Sequence, residues 1–523
     1  MRFSHRKTSS YLVILLFAVY LINGIIAIPE NSIVYDEPDH WSYGKRILMG
    51  QPQKVYTYDD GSEMPVQGIN ALPRAVEQLL NPGLKKTDGG VSDIMHGRYV
   101  TLFLCFLTGV YIWRWSTELF KESAGVFSLF LFVFCPNLNA NAILLSTDAY
   151  TALFTLITFY YFWKFVKERQ NKFFLLFCLS CAASQVVKYS LIHLPIIFGI
   201  LSLLVLLQRK SLWTGWKRNI LRLLVFVSVF LIVINAAYFF IGSGQALAGY
   251  HFRSELFKSL QSFQVLSKLP LPFPVPYIDG FDITFHMMEL GTGHPLLSGK
   301  TYLLGEYRTG KGFWYYYLVL FLFKTPIPFL IAFFLLAWFY LKQWKISFLS
   351  ADFFIGFGLL YYFLLFSFIN DAQIGLRHVI FFYPLLYVLA GKLTQFPWRK
   401  ISMVIVIPLL AVYTIASYYF FFPNLISYSN EFIPDKKKVY KVMADTNIDY
   451  GQGWIALNRY LKNHDKVKMA PLAPEAGIFV IGLNDYLDLY NTGKYAWLRN
   501  FEPVGHVNHC FLLFSISIQD IHK

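Results

Sequence analysis

The stretch Val34-Tyr35-Asp36-Glu37-Pro38-Asp39-His40-Trp41 follows the first hydrophobic span, Tyr11 to Ile28. It places three carboxylates and one imidazole within five residues of a chain that is 56% hydrophobic and only 15% charged. Proline lacks a backbone donor and restricts the residue before it, so Pro38 is expected to stop the first span from running on as helix. The acidic group is therefore predicted on a short turn where the chain leaves the membrane.

The composition predicts a polytopic α-helical membrane protein. The 523 residues are 19% aromatic and have a mean hydropathy of +0.45. Many separate apolar runs approach the roughly 20 residues that cross a bilayer. A net charge of +15 would suggest a nucleic-acid partner in a soluble chain. Here cationic loops held on the cytoplasmic side explain it, and no nucleic acid is expected.

The charge distribution predicts the topology. Arg2, Arg6 and Lys7 precede the first span, which indicates a cytoplasmic N-terminus and a retained anchor. Inner loops then carry most of the lysines and arginines, as the positive-inside rule requires. About eleven spans follow from this interpretation, which places the C-terminal segment outside. After the first span, the others are predicted near residues 99–118, 124–143, 148–166, 173–187, 190–207, 219–241, 318–340, 352–369, 379–394 and 401–421.

Three sizeable pieces are expected on the outer side. Residues 242–317 contain a proline-rich run from Leu269 to Tyr277, which favours a stiff extended lid. The tail is predicted to be a small α/β domain, with a helix from Gln452 to Lys462 and a strand from Phe511 to Ile518. The resulting divisions are 1–29 (tail and first helix), 30–97 (first outer loop), 98–241 (helices 2–7), 242–317 (outer loop or lid), 318–421 (helices 8–11) and 422–523 (C-terminal outer domain).

This topology brings polar residues to one membrane face. Ionisable groups in contact with both lipid and water suit a substrate that has a lipid tail and a charged head. Transfer from a lipid-phosphate sugar needs a carboxylate to deprotonate the acceptor, and guanidinium or ammonium groups to stabilise the leaving phosphate. One base acting in direct displacement would invert the anomeric centre, and no metal is strictly required. The candidates are Asp36, Glu37, His40, Arg98, Asp148, Lys188, Lys324, Arg377 and His378.

Each candidate also has a structural interpretation. Asp36 and Glu37 are also consistent with a solvated loop, and Asp39 is typical of a turn or helix cap. Asp148 follows Ser146-Thr147 and can simply cap a helix. Arg98, Lys188 and Arg377 can reach lipid headgroups. His40 is the candidate metal ligand, but one histidine is weak support for a divalent metal, so no cofactor is predicted.

The ordered motifs resemble the GT-C superfamily of integral membrane glycosyltransferases, in its family-39-like branch. That branch includes protein O-mannosyltransferases, lipid A aminoarabinose transferases and bacterial relatives that use phospholipid carriers. The similarity covers nearly the whole chain. The motifs are Asp36-Glu37-Pro38-Asp39-His40, Gly97-Arg98, Ser146-Thr147-Asp148-Ala149, Val187-Lys188-Tyr189-Ser190, Tyr302-Leu303-Leu304-Gly305-Glu306 with Lys324-Thr325-Pro326, Ile374-Gly375-Leu376-Arg377-His378, and Asp445 to Gln452.

The resemblance implies a polyprenyl-phosphate sugar donor, with Asp36 as the catalytic carboxylate. Glu37 and Asp148 are the other catalytic candidates. Arg98, Lys188 and Arg377 are predicted around the phosphate, with His378 and Lys324 as further candidates. Bacterial relatives often carry a His-Pro-Pro-Leu-like stretch where this chain has only Ser62-Glu63-Met64-Pro65-Val66, so the acceptor side departs from the family. No extra outer domain interrupts the spans, which favours an enzyme of the bacterial cytoplasmic membrane.

A transporter or flippase of lipid-linked sugar is the alternative from another class. Transporters usually place ionisable groups near the bilayer midplane and show paired halves. The charges of this chain cluster at one face, which favours the transferase. A structural scaffold would leave the acidic turn unexplained. The sequence identifies neither the sugar nor the acceptor.

Overall fold

The computed structural model describes residues 2–54, 61–81, 90–208, 215–291, 300–343 and 347–521. The N-terminal half consists of α1 (Arg2–Glu30), α2 (Glu37–Leu48), α3 (Gln67–Leu80), α4 (Val91–Phe120), α5 (Glu122–Val133), α6 (Pro136–Ala142), α7 (Asp148–Glu168), α8 (Asn171–Ser184), α9 (His193–Gln208) and α10 (Trp216–Ala237).

The C-terminal half adds helices and two small sheets. Its helices are α11 (Glu255–Ser262), α12 (Gln264–Ser267), α13 (Val275–Glu289), α14 (Tyr316–Lys324), α15 (Ile327–Gln343), α16 (Ala351–Phe368), α17 (Phe382–Ala390), α18 (Ile407–Phe421), α19 (Trp454–Lys462), α20 (Leu483–Tyr486) and α21 (Ile518–Ile521). Its strands are β1 (Lys300–Leu303), β2 (Glu306–Thr309), β3 (Val467–Met469), β4 (Gly477–Gly482), β5 (Gly505–Val507) and β6 (Phe511–Ile516).

The chain is a multi-pass membrane protein. Within the described residues, six helical segments are long and apolar enough to cross a bilayer, and α5 with α6 makes a seventh if that bent pair is one span. The count of eleven is therefore not confirmed. The six segments are Ser9–Glu30, Val91–Phe120, Tyr189–Gln208, Trp216–Ala237, Ala351–Phe368 and Val404–Phe421.

Prolines break two of the predicted spans. The span predicted over 124–143 bends by 65° between α5 and α6, where Cys135 is extended and Pro136 begins α6. The span predicted over 318–340 divides into α14 and α15 at Thr325-Pro326. Proline supplies no backbone donor and keeps the preceding residue out of the α region, so a continuous helix is disfavoured at both positions.

Aromatic side chains join the helices at the centre of the bundle. The ring of Phe162 on α7 lies 4.9 Å from Phe198 on α9, 5.3 Å from Phe177 on α8 and 5.1 Å from Phe354 on α16, measured between centroids. Phe162, Phe177, Phe198 and Phe354 are all buried. Tilted and edge-to-face contacts of this kind add to the burial of apolar area. They fix α7 as the helix around which its neighbours pack, and α7 begins at Asp148.

The segment predicted as a stiff extended lid contains three helices among its described residues. Residues 242–317 include α11, α12 and α13, followed by the antiparallel β1–β2 hairpin. Pro276 lies in the first turn of α13, where proline's missing donor costs nothing and its fixed φ favours a helix start. The last residues of the proline-rich run therefore form the start of α13, which the extended interpretation did not predict.

The last hundred residues contain the predicted helix and strand. The helix predicted from Gln452 to Lys462 is α19, and the strand predicted from Phe511 to Ile518 is β6. The four strands form one sheet in the order β3-β4-β6-β5, in which only the β3–β4 pair is parallel. Between α18 and α19, the chain runs back across the ends of the membrane helices. Residues 445–452 of this connection reach the acidic turn.

Candidate active site

Asp36 lies on the turn that connects α1 to α2, whereas the other members of the acidic group, Glu37, Asp39 and His40, lie in the first turn of α2. Helix α1 ends at Glu30, and the Asn31 side chain donates a 2.8 Å hydrogen bond to the Ala27 carbonyl in its last turn. The prediction that Pro38 stops the first span is therefore wrong, because Pro38 lies in the first turn of α2. Asp36 directly precedes that helix, so its side chain is held at a fixed helix start.

One arginine joins the two candidate carboxylates. Arg377 Nη1 lies 2.8 Å from Asp36 Oδ2 and 3.3 Å from Asp148 Oδ2. The Lys188 ammonium contacts the other oxygen of Asp148. Asp36 precedes α2, Asp148 begins α7, Lys188 lies between α8 and α9, and Arg377 lies in a 3-10 turn before α17. Four distant segments thus bring two carboxylates and two cations together.

The cluster is open on one side. The side chains of Asp36, Lys188 and Arg377 are 20%, 18% and 13% exposed, whereas that of Asp148 is only 3% exposed. Asp36 is therefore the carboxylate that a substrate can reach. Asp148 lies behind it and balances the two cations.

The surrounding charges set the protonation of the cluster. Burial tends to raise the pKa of Asp36, but the Arg377 guanidinium and hydrogen bonds from Arg377 and Tyr450 hold that pKa below its usual value. Asp36 is thus ionised at neutral pH. Burial, with the charges of Lys188 and Arg377, lowers the pKa of His378 to about 3, so His378 is a neutral imidazole. His378 can donate one hydrogen bond but adds no charge.

The Arg377 guanidinium forms hydrogen bonds through one edge, and the Nε of its other edge has no partner among the described residues. All of these hydrogen bonds leave from Nη1, and Nε is buried. The residue also lines a cleft with about 380 Å³ of empty space, including space open to solvent. The lining residues are Asn137, Ala140, Asn141, Leu144, Lys324, Leu376, Arg377, Ile380, Ile426, Thr446, Asn447 and Tyr450.

Glu37 and Arg98 form a buried pair away from this opening. Both side chains are 0% exposed. Arg98 Nε and Nη2 donate to the Glu37 carboxylate at 2.7 and 2.5 Å, and the remaining donors bind three backbone carbonyls. The carboxylate also accepts from the backbone N–H groups of Val34 and Leu145, both at 2.8 Å. Every guanidinium proton is used, which favours a structural role for this pair. The placement of Arg98 at the donor phosphate and of Glu37 at the reaction stays a prediction.

Lys324 lines the cleft but its ammonium is fully engaged. It donates to the backbone carbonyls of Ile426, Tyr428 and Asn447, which hold the connection after α18 against the end of α14. An ammonium has three protons, and all three are used. These contacts favour a structural role for Lys324, and its place at the phosphate stays a prediction.

His40 has no metal-binding environment in the described part of the chain. Its Nδ1 contacts the Gln67 amide, and burial lowers the pKa of the imidazole to about 4. No group of three or more His, Cys, Asp or Glu side chains that could hold a metal ion occurs among the described residues.

The sequence interpretation gave no role to Tyr450. Its hydroxyl donates to Asp36 Oδ2, and its ring lies under the Arg377 guanidinium at 4.5 Å. Asp445 is near both groups, and burial raises its pKa to about 6. Only the motif from Asp445 to Gln452 pointed to these two residues. Nothing in its composition indicates a contact with Asp36, some 400 positions earlier in the chain.

The chain is similar to known proteins in one sequence segment and in its fold. Residues 91–238 match the family described as dolichyl-phosphate-mannose-protein mannosyltransferase. The chain is similar to ArnT from Cupriavidus metallidurans bound to undecaprenyl phosphate, with 15% identity, a TM-score of 0.50, and coverage of 92% of this chain and 75% of that one. Apo ArnT from the same organism is 14% identical, with a TM-score of 0.50 and coverage of 94% of this chain and 76% of that one. No curated protein sequence matches.

These two findings agree with each other and with the ordered motifs. The family match covers α4 to α10, and the shared fold extends over nearly the whole chain. The resemblance inferred from the sequence is confirmed to that extent: residues 91–238 match the mannosyltransferase family, and the fold of the chain is similar to that of ArnT.

Proposed function

We propose that this protein transfers a sugar from a polyprenyl-phosphate donor to an acceptor at the outer face of the membrane. One observation carries the proposal: Asp36, Asp148, Lys188 and Arg377 converge at the ends of the apolar helices. Such a place gives a lipid tail access to the bilayer and keeps a charged head in water. The ArnT structure described as bound to undecaprenyl phosphate supports a donor of this class.

Asp36 is the proposed general base. Its Oδ2 accepts hydrogen bonds from Arg377 and Tyr450, which leaves Oδ1 for an incoming hydroxyl. The acceptor gives its proton to Oδ1 as its oxygen attacks the anomeric carbon. The bond between that carbon and the phosphate oxygen breaks at the same time. Because attack and departure occur on opposite sides, the product has the inverted configuration.

The available edge of Arg377 is the proposed phosphate site. Its Nε–H and Nη2–H point the same way and match two oxygens of a phosphate. Lys188 supplies a second positive charge nearby, and His378 can donate a neutral hydrogen bond. The leaving phosphate then develops its charge against two fixed cations. These side chains supply the required charges, so we propose that no resident metal is needed.

Release of polyprenyl phosphate by the purified protein tests the proposal. Mixed polyprenyl-phosphate sugars and a host membrane extract would be supplied, with and without EDTA. Wild type should release the lipid phosphate in both conditions. Asp36→Asn should lower the rate by about 10² to 10⁴, the range of general-base catalysis.

Asp352→Asn is the matched control. Asp352 is also a partly buried carboxylate paired with a cation, Lys392 at 2.7 Å, but it lies at the start of α16 rather than in the cluster. Its variant should keep the wild-type rate. Equal rates for wild type and Asp36→Asn would refute the assigned base. No release from any donor, with lipid-linked sugar instead crossing a reconstituted bilayer, would favour a transporter.

A further inference from the structure

The connection between α18 and α19 is tied to the acidic turn. The backbone N–H of Ser32 donates to the Gln452 carbonyl at 2.9 Å, and that of Tyr35 donates to the Tyr450 carbonyl at 3.3 Å. The Gln452 side chain in turn accepts from the Tyr450 backbone N–H at 2.7 Å. Gln452 is 0% exposed, so this arrangement is an internal one. It fixes the position of Tyr450 relative to the turn that carries Asp36.

The same connection is tied to the Arg377 turn. Asn447 Oδ1 accepts from the Leu376 backbone N–H, and the Thr446 hydroxyl donates to the Ile374 carbonyl, both at 3.0 Å. The two chains touch at Gly375, where an added Cβ would lie 2.3 Å from Thr446 Oγ1. Residues 445–452 therefore contact both of the turns that supply the Asp36–Arg377 pair.

Tyr450 is the side chain that enters between these turns. Its hydroxyl donates to Asp36 Oδ2 and accepts from Arg377 Nη1. Its ring supports the guanidinium at 4.5 Å. The residue is 7% exposed, so it is held by its surroundings rather than by water.

We propose that Tyr450 is a positioning residue of the transfer reaction, and this rests on the function proposed above. Its hydroxyl and Arg377 together occupy Oδ2 of Asp36, which turns Oδ1 toward the acceptor. Its ring keeps the Nε–Nη2 edge of Arg377 aligned for the phosphate. The connection before the C-terminal sheet thus completes a site whose charged residues all come from the membrane-helix region.

Two substitutions separate the hydroxyl from the ring. Tyr450→Phe removes the hydrogen bonds and keeps the ring, so kcat should fall by about ten- to a hundredfold while the KM for the donor changes little. Tyr450→Leu removes both, so the KM should also rise. Tyr486→Phe is the control, because it likewise removes a mostly buried hydroxyl, bonded to the Phe501 carbonyl at 3.2 Å, from the same half of the chain.

An infrared titration gives a readout that does not need turnover. The Asp36 carboxyl band would be assigned by its loss in Asp36→Asn. The hydrogen bond from Tyr450 favours the ionised carboxylate, so removing it should make Asp36 protonate at higher pH in Tyr450→Phe than in wild type. Tyr486→Phe should titrate as wild type. The charged and titratable groups around Asp36 that stay unchanged are His40, Asp148, Lys188, Arg377, His378 and Asp445.

The outcomes separate the two proposals. A kcat of wild-type size in Tyr450→Phe, or an unchanged Asp36 titration, would overturn the role of Tyr450 whatever the donor is. A wild-type protein that releases no lipid phosphate would overturn the proposed function, and the titration would still decide whether Tyr450 controls Asp36. A higher protonation pH together with a lower kcat supports the inference.

Discussion

Substituting Glu37 by glutamine tests whether this residue supports the site rather than reacts in it. The carboxylate accepts hydrogen bonds from Arg98 Nε and Nη2 and from the backbone N–H groups of Val34 and Leu145. A glutamine side chain has one acceptor oxygen and replaces the other with an NH₂ donor. That NH₂ would face a guanidinium N–H and a backbone N–H. The positive charge of Arg98 would also lose its only carboxylate partner among the described residues.

The cost follows from the burial of this pair. Both side chains are 0% exposed, so water cannot replace the lost acceptor. Removing one partner of a buried ion pair typically costs about 3–5 kcal/mol. We therefore expect Glu37→Gln to lower the free energy of unfolding by about that amount. Glu502→Gln, which breaks an exposed pair with Lys441 in the C-terminal region, should cause no measurable change.

Unfolding in mixed micelles, followed by tryptophan fluorescence during SDS titration, measures this difference. The turnover of the folded fraction should be measured beside it. A structural Glu37 predicts a large loss of stability. Arg98→Met combined with Glu37→Gln should be less destabilising than the sum of the single variants, because the unpaired charge is gone. Wild-type stability with abolished turnover would refute the reasoning and return Glu37 to the reacting groups.

Two further predictions concern the donor site and the topology. Arg377→Lys should raise the KM for the lipid donor by about tenfold, because a point charge replaces a two-pronged donor, whereas Arg459→Lys on the exposed surface should not; an unchanged KM in Arg377→Lys would exclude the proposed phosphate edge. A reporter fused after the C-terminus should be active only outside the cytoplasm, and activity only inside would contradict the shared outer face.

The sequence predicted which side chains meet in the open part of the cluster. Asp36, Asp148, Lys188 and Arg377 each begin or precede a helix, and the predicted alternating topology placed them at one face. Predicted depth alone could not separate them from Arg98 and Lys324, because the same topology placed all of these residues at one face. Arg98 and Lys324 differ from the cations of the open cluster because they donate hydrogen bonds to backbone carbonyls. That depends on turns and long connections whose course no local pattern encodes.

Apolar length also failed to predict where helices are interrupted. Among the described residues, each of the six segments long and apolar enough to cross a bilayer lies at a span predicted from apolar length, whereas the other predicted spans are not confirmed. The interruptions at Cys135-Pro136 and Thr325-Pro326 were readable in principle, because proline disfavours a continuing helix. They were missed because neighbouring apolar residues on both sides made one long run. In a membrane protein, a proline within an apolar run deserves to be read as a break even when the hydropathy does not change.

Arg377 gives the site a property that neither carboxylate has alone. Its Nη1 lowers the pKa of Asp36, while its opposite edge is the phosphate site proposed above. In the proposed mechanism, a bound phosphate would draw the guanidinium toward its own charge, and a longer contact to Asp36 Oδ2 would make that carboxylate a stronger base. Donor binding and base strength are then linked through one side chain. The same mechanism predicts that Asp36 stays paired and weakly basic without a donor, so that an acceptor would be deprotonated only when a sugar is bound.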